Sequence, residues 1–262
     1  MLQADNVSFR YQGATPLVLE DVSVTIGAGD LVGILGPNGS GKTTLLRLLS
    51  GTRVPTSGSI TLDGEPIERL SRREIARRLA VVPQQVELAF EYSVLEIALM
   101  GRHPHLGLFQ VEGPTDYAVA RDALAATGTA HLESRPFHTL SGGEKQRVIV
   151  AAALAQTSDI LLLDEPTTSL DLGYQLDIAS LLSTLNRERG VTMAISTHDL
   201  HLAASICRTL VLMRGGRVLA HGAADAVLTP DNVRALYGVE ADVHVHPDTG
   251  NLTVVPVRRL RS

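Results

Sequence analysis

Residues 31–51 read LVGILGPNGSGKTTLLRLLSG, and no other stretch restricts the fold as much. LVGIL is a short, unbroken apolar run that enters glycines directly, as a strand buried on both faces of a parallel sheet does. After Lys42 the run TTLLRLLSG takes helical spacing and stops at Gly51, a glycine suited to a C-cap. Between strand and helix, Gly36, Pro37, Asn38, Gly39, Ser40, Gly41, Lys42 and Thr43 fit G-x-x-x-x-G-K-[ST] at every required position. Glycines let consecutive N–H groups fold around a polyphosphate, and the helix N-terminus, with Thr44 in its first turn, favours the negative charge. Lys42 supplies a point charge for the β and γ phosphates, and Thr43 can place its hydroxyl on Mg²⁺. A nucleoside triphosphate is the expected ligand, and α/β is the expected fold class.

The rest of the chain agrees with that class. LQADNVSFRY and VLEDVSVTIG alternate as strands, and SGSITL reads as another. SRREIARRL reads as a short helix with a basic outer face. From about Val86 to Ser158 strand signals largely vanish, while SVLEIALMG, TDYAVARDALAATG and EKQRVIVAAALAQ carry helical periodicity, so a helical insertion over about 86–158 is expected. Buried strands return in ILLLD and TMAIS, separated by the helical YQLDIASLLSTLNRERG, and TLVLMRGGRVLAHG reads as a hairpin closing the fold. VHVHPDTGNLTVVPVRRLRS suggests a small terminal β unit with a basic end.

Composition excludes several roles. The formal net charge of −5 over 262 residues argues against a binder that neutralises nucleic-acid phosphates over a broad basic face, so no nucleic acid is expected as a partner. Cys207 is the single cysteine and lies in an apolar run, so it reads as a buried, inert thiol in a reducing compartment. MLQADNVSFRYQ lacks the basic and apolar regions of a secretory signal. Apolar runs such as ILLL fall far short of the ~20 residues that cross a bilayer, so any membrane span is expected from another subunit.

ILLLDEP is an apolar strand ending in adjacent carboxylates. Successive strand residues face opposite ways, so Asp164 and Glu165 take different roles unless the strand ends between them. Asp164 suits Mg²⁺, and Glu165 suits orienting or deprotonating the water that attacks the γ-phosphate. A second buried strand, AISTHD, ends at His198, which is placed to donate to the same phosphate. TLSGGEKQR reads two ways. Ser141 and Glu144 spell a capping box, which alone would start a helix. Gly142 and Gly143 are costly in a first turn unless the backbone approaches something closely, and their N–H groups also form an anion site.

Taken together these residues resemble the ATP-binding cassette (ABC) family, with LSGGE from Leu140 to Glu144 in the place of its signature. Tyr11 resembles the aromatic that stacks on adenine, Gln84 in VVPQQ the Q-loop glutamine, Ser169–Asp171 the D-loop, and His198 the switch histidine. The resemblance covers residues 1–240. It implies a P-loop NTPase with a RecA-like core, an N-terminal antiparallel β subdomain and the helical signature insertion, leaving 241–262 as a C-terminal β extension. It further implies ATP and Mg²⁺ as cofactors, the metal near Thr43, Gln84 and Asp164, with Gln84, Glu165 and His198 serving catalysis. Ser141, Gly142, Gly143, Glu144 and Asp171 would meet the ATP held by a second copy of the chain, giving a homodimer.

GRHPHLG and LYGVE resemble the ATPases of iron-chelate, haem and vitamin B12 importers. That resemblance implies transmembrane permease subunits docking near Gln84–Leu108, an indirect link to a substrate-binding protein, and a peripheral place on the cytoplasmic face of the membrane. An ATP-switched clamp on nucleic acid or ribosomes is the alternative. His103 with His105, and His244 with His246, lack a carboxylate or cysteine to complete a metal site, and read as surface or subunit-contact groups.

Overall fold

The computed structural model describes residues 1–13, 16–86, 90–247, 250 and 252–259. The alternating N-terminal runs form β1 (Leu2–Phe9) and β2 (Leu19–Ile26), followed by β3 (Leu31–Leu35), α1 (Lys42–Leu49), β4 (Ser57–Leu62) and β5 (Glu65–Pro66). Next come α2 (Arg72–Arg78), β6 (Leu79–Val82), α3 (Val94–Met100), α4 (Pro114–Ala126) and α5 (Gly142–Ala155). The chain continues through β7 (Ile160–Asp164), α6 (Leu172–Arg189), β8 (Thr192–Thr197), α7 (Leu200–Ile206), β9 (Thr209–Arg214) and β10 (Arg217–Ala223). It ends with α8 (Ala224–Val227), α9 (Pro230–Tyr237), β11 (Val239–Val245) and β12 (Leu252–Arg259).

The antiparallel N-terminal sheet has the order β2-β1-β4-β5, and the central sheet the order β10-β9-β3-β8-β7-β6. The central strands are parallel except for β10, which returns antiparallel along β9. Every residue of β3, β7 and β8 is buried, which is why these strands read as unbroken apolar runs. Their pleat divides the side chains between two cores. Val32, Ile34, Ile160, Leu162, Ala194 and Val211 face α1 and the N-terminal sheet. Leu31, Leu35, Leu161, Leu163, Met193 and Ile195 face α6, α7 and the C-terminal elements. This parity later decides where Asp164 points.

A third core lies among α3, α4 and α5, where Val94, Ile97, Leu124, Val148 and Ala151 are buried together. Its close packing is fixed at Arg102, which bonds Asp116 at 3.0 Å and donates to the Ala155 carbonyl at 2.8 Å. Polar bonds tie the same region to α2, where Arg73 and Arg77 donate to the Pro104 carbonyl at 2.9 and 3.0 Å, and within the region His105 Nε2 meets the Gln156 carbonyl at 2.8 Å. His105 is half-buried and bonded within the chain, and His103 beside it is exposed.

Several elements escape the sequence reading. β6 follows α2 with no turn between Arg78 and Leu79, so no glycine or proline marks where the helix gives way to a strand. The fold does not close at the β9–β10 hairpin either, because α8 and α9 follow. TPDNVRALYG carries a helix signature after all: Thr229 caps Asn232, Pro230 opens the helix, and Gly238 ends it in a left-handed conformation. Cys207 is buried, and burial pushes its thiol up to about 12. Among the described residues no helix is long and apolar enough to cross a membrane.

Candidate functional site

Parallel sheets present ligands at the carboxyl ends of their strands. Here the ends of β3, β7 and β8 lie side by side, with Leu35 opposite Thr197 and Asp164 opposite Ser196. Asp164 shares the parity of Ile160 and Leu162, so its carboxylate falls on the α1 side of the sheet. It accepts from Thr43 Oγ1 at 3.1 Å and from the Ser196 hydroxyl. Ser196, fully buried on the neighbouring strand, is absent from the sequence reading; the only signal is a hydroxyl inside a run otherwise fit for a core.

The strand ends between the two carboxylates. Glu165 takes φ 47°, and its N–H donates to the Ser196 carbonyl at 3.0 Å. This turn sends its carboxylate towards groups from several separate segments. Lys42 Nζ stands 3.5 Å from Oε1. His198 Nδ1 lies 3.2 Å from Oε2, which also accepts from Gln84 Nε2 at 3.4 Å and from Thr168 Oγ1 at 2.9 Å. Burial pushes the Glu165 carboxyl up, but Thr168, His198 and Lys42 together bring it below its ordinary value. A carboxylate held ionised and aimed by fixed donors can accept a proton from water at neutral pH. Thr168 is a second contributor that the motifs leave out.

Lys42 is 5% exposed, and burial lowers the pKa of its amine while Glu165 works against that shift. Its Nζ donates to the carbonyls of Gly36 at 2.8 Å and Pro37 at 3.2 Å, so the loop curls over its own lysine. Gly41 at the head of α1 has φ 102°, a conformation that suits glycine, and α1 takes no side-chain cap. Ser40 Oγ is buried without a partner inside the loop. An orphaned hydroxyl beside an uncapped helix N-terminus fits a bound polyphosphate. Asn38, Gly39, Gly41, Lys42, Thr43, Thr44, Gln84 and Glu165 line a cavity of about 340 Å³ here. Thr43, Gln84 and Asp164 also line a neighbouring cavity of about 660 Å³, and their oxygens are the hard donors that Mg²⁺ takes. Tyr11 sits edge-on to Phe9 with ring centroids 4.9 Å apart, and its hydroxyl meets Thr44 Oγ1 at 3.2 Å. It thus packs beside the loop's helix.

The signature residues form a separate group. Glu144 N–H donates to Ser141 Oγ at 3.3 Å, and Ser141 N–H to Glu144 Oε2 at 2.8 Å, closing a capping box. That backbone donor and the Ser141 hydroxyl hold the Glu144 carboxyl below its ordinary value. The glycines have a reason inside the chain: a methyl on Gly143 would overlap the Tyr174 ring, with Cγ only 2.6 Å away, and one on Gly142 would crowd Leu170 at 3.2 Å. Asp171 caps α6, accepting from Tyr174 N–H at 3.1 Å, and Arg147 pairs with Asp177 at 2.9 Å. Gly142, Lys145, Gln146, Thr168, Ser169 and Leu170 line a cavity of about 300 Å³, which shares Gln84 with the phosphate-loop cavity but none of the loop residues. Among the described residues no group of histidines, cysteines and carboxylates could hold a metal ion by itself.

A glycine loop between a buried parallel strand and a helix, facing a carboxylate on a neighbouring strand end, defines a P-loop nucleotide-binding protein. The second, signature-type helix start narrows the class further. The chain belongs to the ABC transporter family, whose sequence profile matches residues 19–168.

The cobalamin import ATP-binding protein BtuD of Halobacterium salinarum is 45% identical over 242 residues, which is 92% of this chain and 60% of that relative. The chain thus spans 60% of the length of the BtuD relatives it matches. The ferric enterobactin transport ATP-binding protein FepC of Escherichia coli K12 is 40% identical, covering 98% of this chain and 94% of the relative. Among solved structures, a chain assigned to a metal-chelate type ABC transporter, in an inward-facing conformation, superposes with a TM-score of 0.86 at 32% identity over 98% of this chain and 97% of that one. The dimeric MJ0796, a bacterial ABC transporter cassette, gives 0.75 at 29% identity, covering 86% and 99%.

Proposed function

We propose that this chain is the ATP-hydrolysing subunit of a membrane importer, coupling closure of an ATP-bound homodimer to uptake of a metal chelate (a ferric siderophore or haem) or cobalamin. The observation that carries the reading is the separation of the two anion sites. The phosphate loop and the signature open into different cavities of one chain, so a second copy can supply to each what it lacks. Residues 1–240 would act as one ATPase unit around the insertion at 86–158, with 241–262 appended.

In this reading the loop N–H groups and Lys42 bind the β and γ phosphates, and Tyr11 stacks on the adenine. Mg²⁺, held by Thr43, Asp164 and Gln84, would neutralise charge developing on the phosphates. Glu165 takes the proton of the attacking water, and Gln84 and His198 orient the reacting groups. Ser141, Gly142 and Gly143 receive the partner's γ-phosphate on the N-terminus of α5, and Asp171 lies at the same interface. Hydrolysis then separates the copies as rigid bodies.

Cargo selectivity resides in permease subunits and a substrate-binding protein, since none of the assigned residues faces a cargo. The relatives named for cobalamin and ferric enterobactin transport support that choice, and the permease would dock near Gln84–Leu108 at the cytoplasmic face of the membrane. The test is copurification from membranes with a many-span permease, followed by ATP-dependent uptake in reconstituted vesicles. A chain that hydrolyses ATP but never associates with such a partner would leave the ATPase standing and remove the importer.

A further inference from the structure

The switch residue His198 stands on a short connection with no ladder of its own, because β8 ends at Thr197 and α7 begins at Leu200. Its imidazole is 45% exposed and meets Glu165 at 3.2 Å. When Glu165 turns to water, the ring's position depends on the backbone beneath it. That backbone is tied on both sides. Gly36 N–H donates to the Thr197 carbonyl at 3.3 Å, and Asp199 N–H donates to Thr197 Oγ1 at 2.9 Å. Asp199 then caps α7, accepting from His201 N–H at 2.8 Å and Leu202 N–H at 3.1 Å. The carbonyl of His198 itself is met from a distant element: the Tyr237 hydroxyl, at the last residue of α9, donates to it at 3.1 Å.

We infer that Tyr237 is a positioning residue for hydrolysis, pinning the peptide of His198 so that the imidazole stays over the reacting phosphate. The inference rests on the ATPase reading above. Val233 and Leu236 anchor α9 in the second core, so the hydroxyl is presented from a rigid support. Burial first, then the carboxylates of Asp199 and Glu165, push the Tyr237 hydroxyl well above its ordinary range. The hydroxyl stays protonated and donates, and its bond to the His198 carbonyl places it at the edge of the site. The LYGVE segment gains a role: Tyr237 reaches the site, and Gly238, left-handed at the helix end, turns the chain into β11.

The test is ATP hydrolysis by the full chain carrying Y237F, H198A or both, at one protein concentration. Y237F keeps the ring and removes one hydrogen bond, which corresponds to about a fivefold lower kcat with KM for ATP unchanged. If Tyr237 acts through His198, Y237F slows H198A no further, because residues acting as one unit are not additive. A wild-type rate in Y237F, or the same fivefold loss on the H198A background, would overturn the inference while leaving the ATPase intact. A wild-type chain without ATPase activity would overturn the reading beneath it as well.

Discussion

Two helices of this chain start where an anion can bind, and they meet that demand in opposite ways. α1 begins at a left-handed Gly41 without a side-chain cap, and its lysine is tied back to the loop carbonyls and to Glu165. Lys42 and Thr43 of this start meet Glu165 and Asp164 of the same chain. α5 begins at Ser141 with a closed capping box, and its glycines are shaped by Tyr174 and Leu170. It is a finished helix start that still leaves the N–H groups of Gly142 and Gly143 outside the box. In the proposed reading the first start holds nucleotide and the second covers it, and each keeps one buried polar atom without a partner, Ser40 Oγ in the loop and Gln146 Nε2 on α5.

The most severe way to test this contrast is to stop the chemistry and keep the grip. Glu165→Gln should slow hydrolysis by about 10²–10⁴-fold, the range of a general base, while ATP stays bound and holds two copies together in light scattering. A variant that remains monomeric with ATP breaks the idea that the signature serves a second chain. Lys42→Ala acts on the other side of the comparison. Loss of charged hydrogen bonds should weaken ATP binding by calorimetry about 10- to 100-fold, and signature substitutions should not reproduce this.

Ser141→Arg should leave ATP affinity of the single chain unchanged yet prevent ATP-driven association, lowering hydrolysis by about tenfold or more at one donor's worth of stabilisation. Equal loss of binding in the lysine and serine variants would merge the two sites into one. Gly143→Ala tests the internal reason for that glycine. Overlap with the Tyr174 ring should destabilise the chain by about 1–3 kcal/mol in urea unfolding, and Tyr174→Ala should relieve it.

The smallest effect concerns the box. The Glu144 pKa is depressed in the folded chain, so its contribution is present at neutral pH and lost as pH falls through that depressed value, below the ordinary glutamate range. The exchange protection of the Ser141 and Glu144 amides, the two donors of the box, should stay steady down to that range and fall below it. A loss of that protection already at pH 6 would mean that the box does not hold the helix start.

Much of this was legible because local physics carried it. LVGIL and ILLLD announce strands buried on both faces, and GPNGSGKT needs only its own glycines to form a loop. Asp164 and Glu165 could be told apart in principle, because alternation forces either opposite faces or a strand end; the structure uses the strand end, at Glu165 with φ 47°. The supporting groups were not legible. Ser196, Thr168 and Tyr237 are ordinary residues in ordinary elements, and nothing near them in sequence says that they converge on a carboxylate or a switch peptide. β6 and α7–α9 were missed because short elements bury their apolar residues against neighbours far along the chain.

The sequence by itself determined the strand–loop–helix unit, the run of helices between strands, the two helix starts and the groups proposed to bind phosphate, since each depends on residues within a few turns of one another. Tertiary structure decided which of those groups meet. Register across parallel strands set Asp164 against Ser196 and Thr43, and the packing of α9 on the sheet set Tyr237 on His198. TLSGGEKQR shows the division most clearly: a capping box is local and readable, whereas the ring that makes Gly143 necessary arrives from α6, because side-chain contact is fixed by packing and not by spacing along the chain.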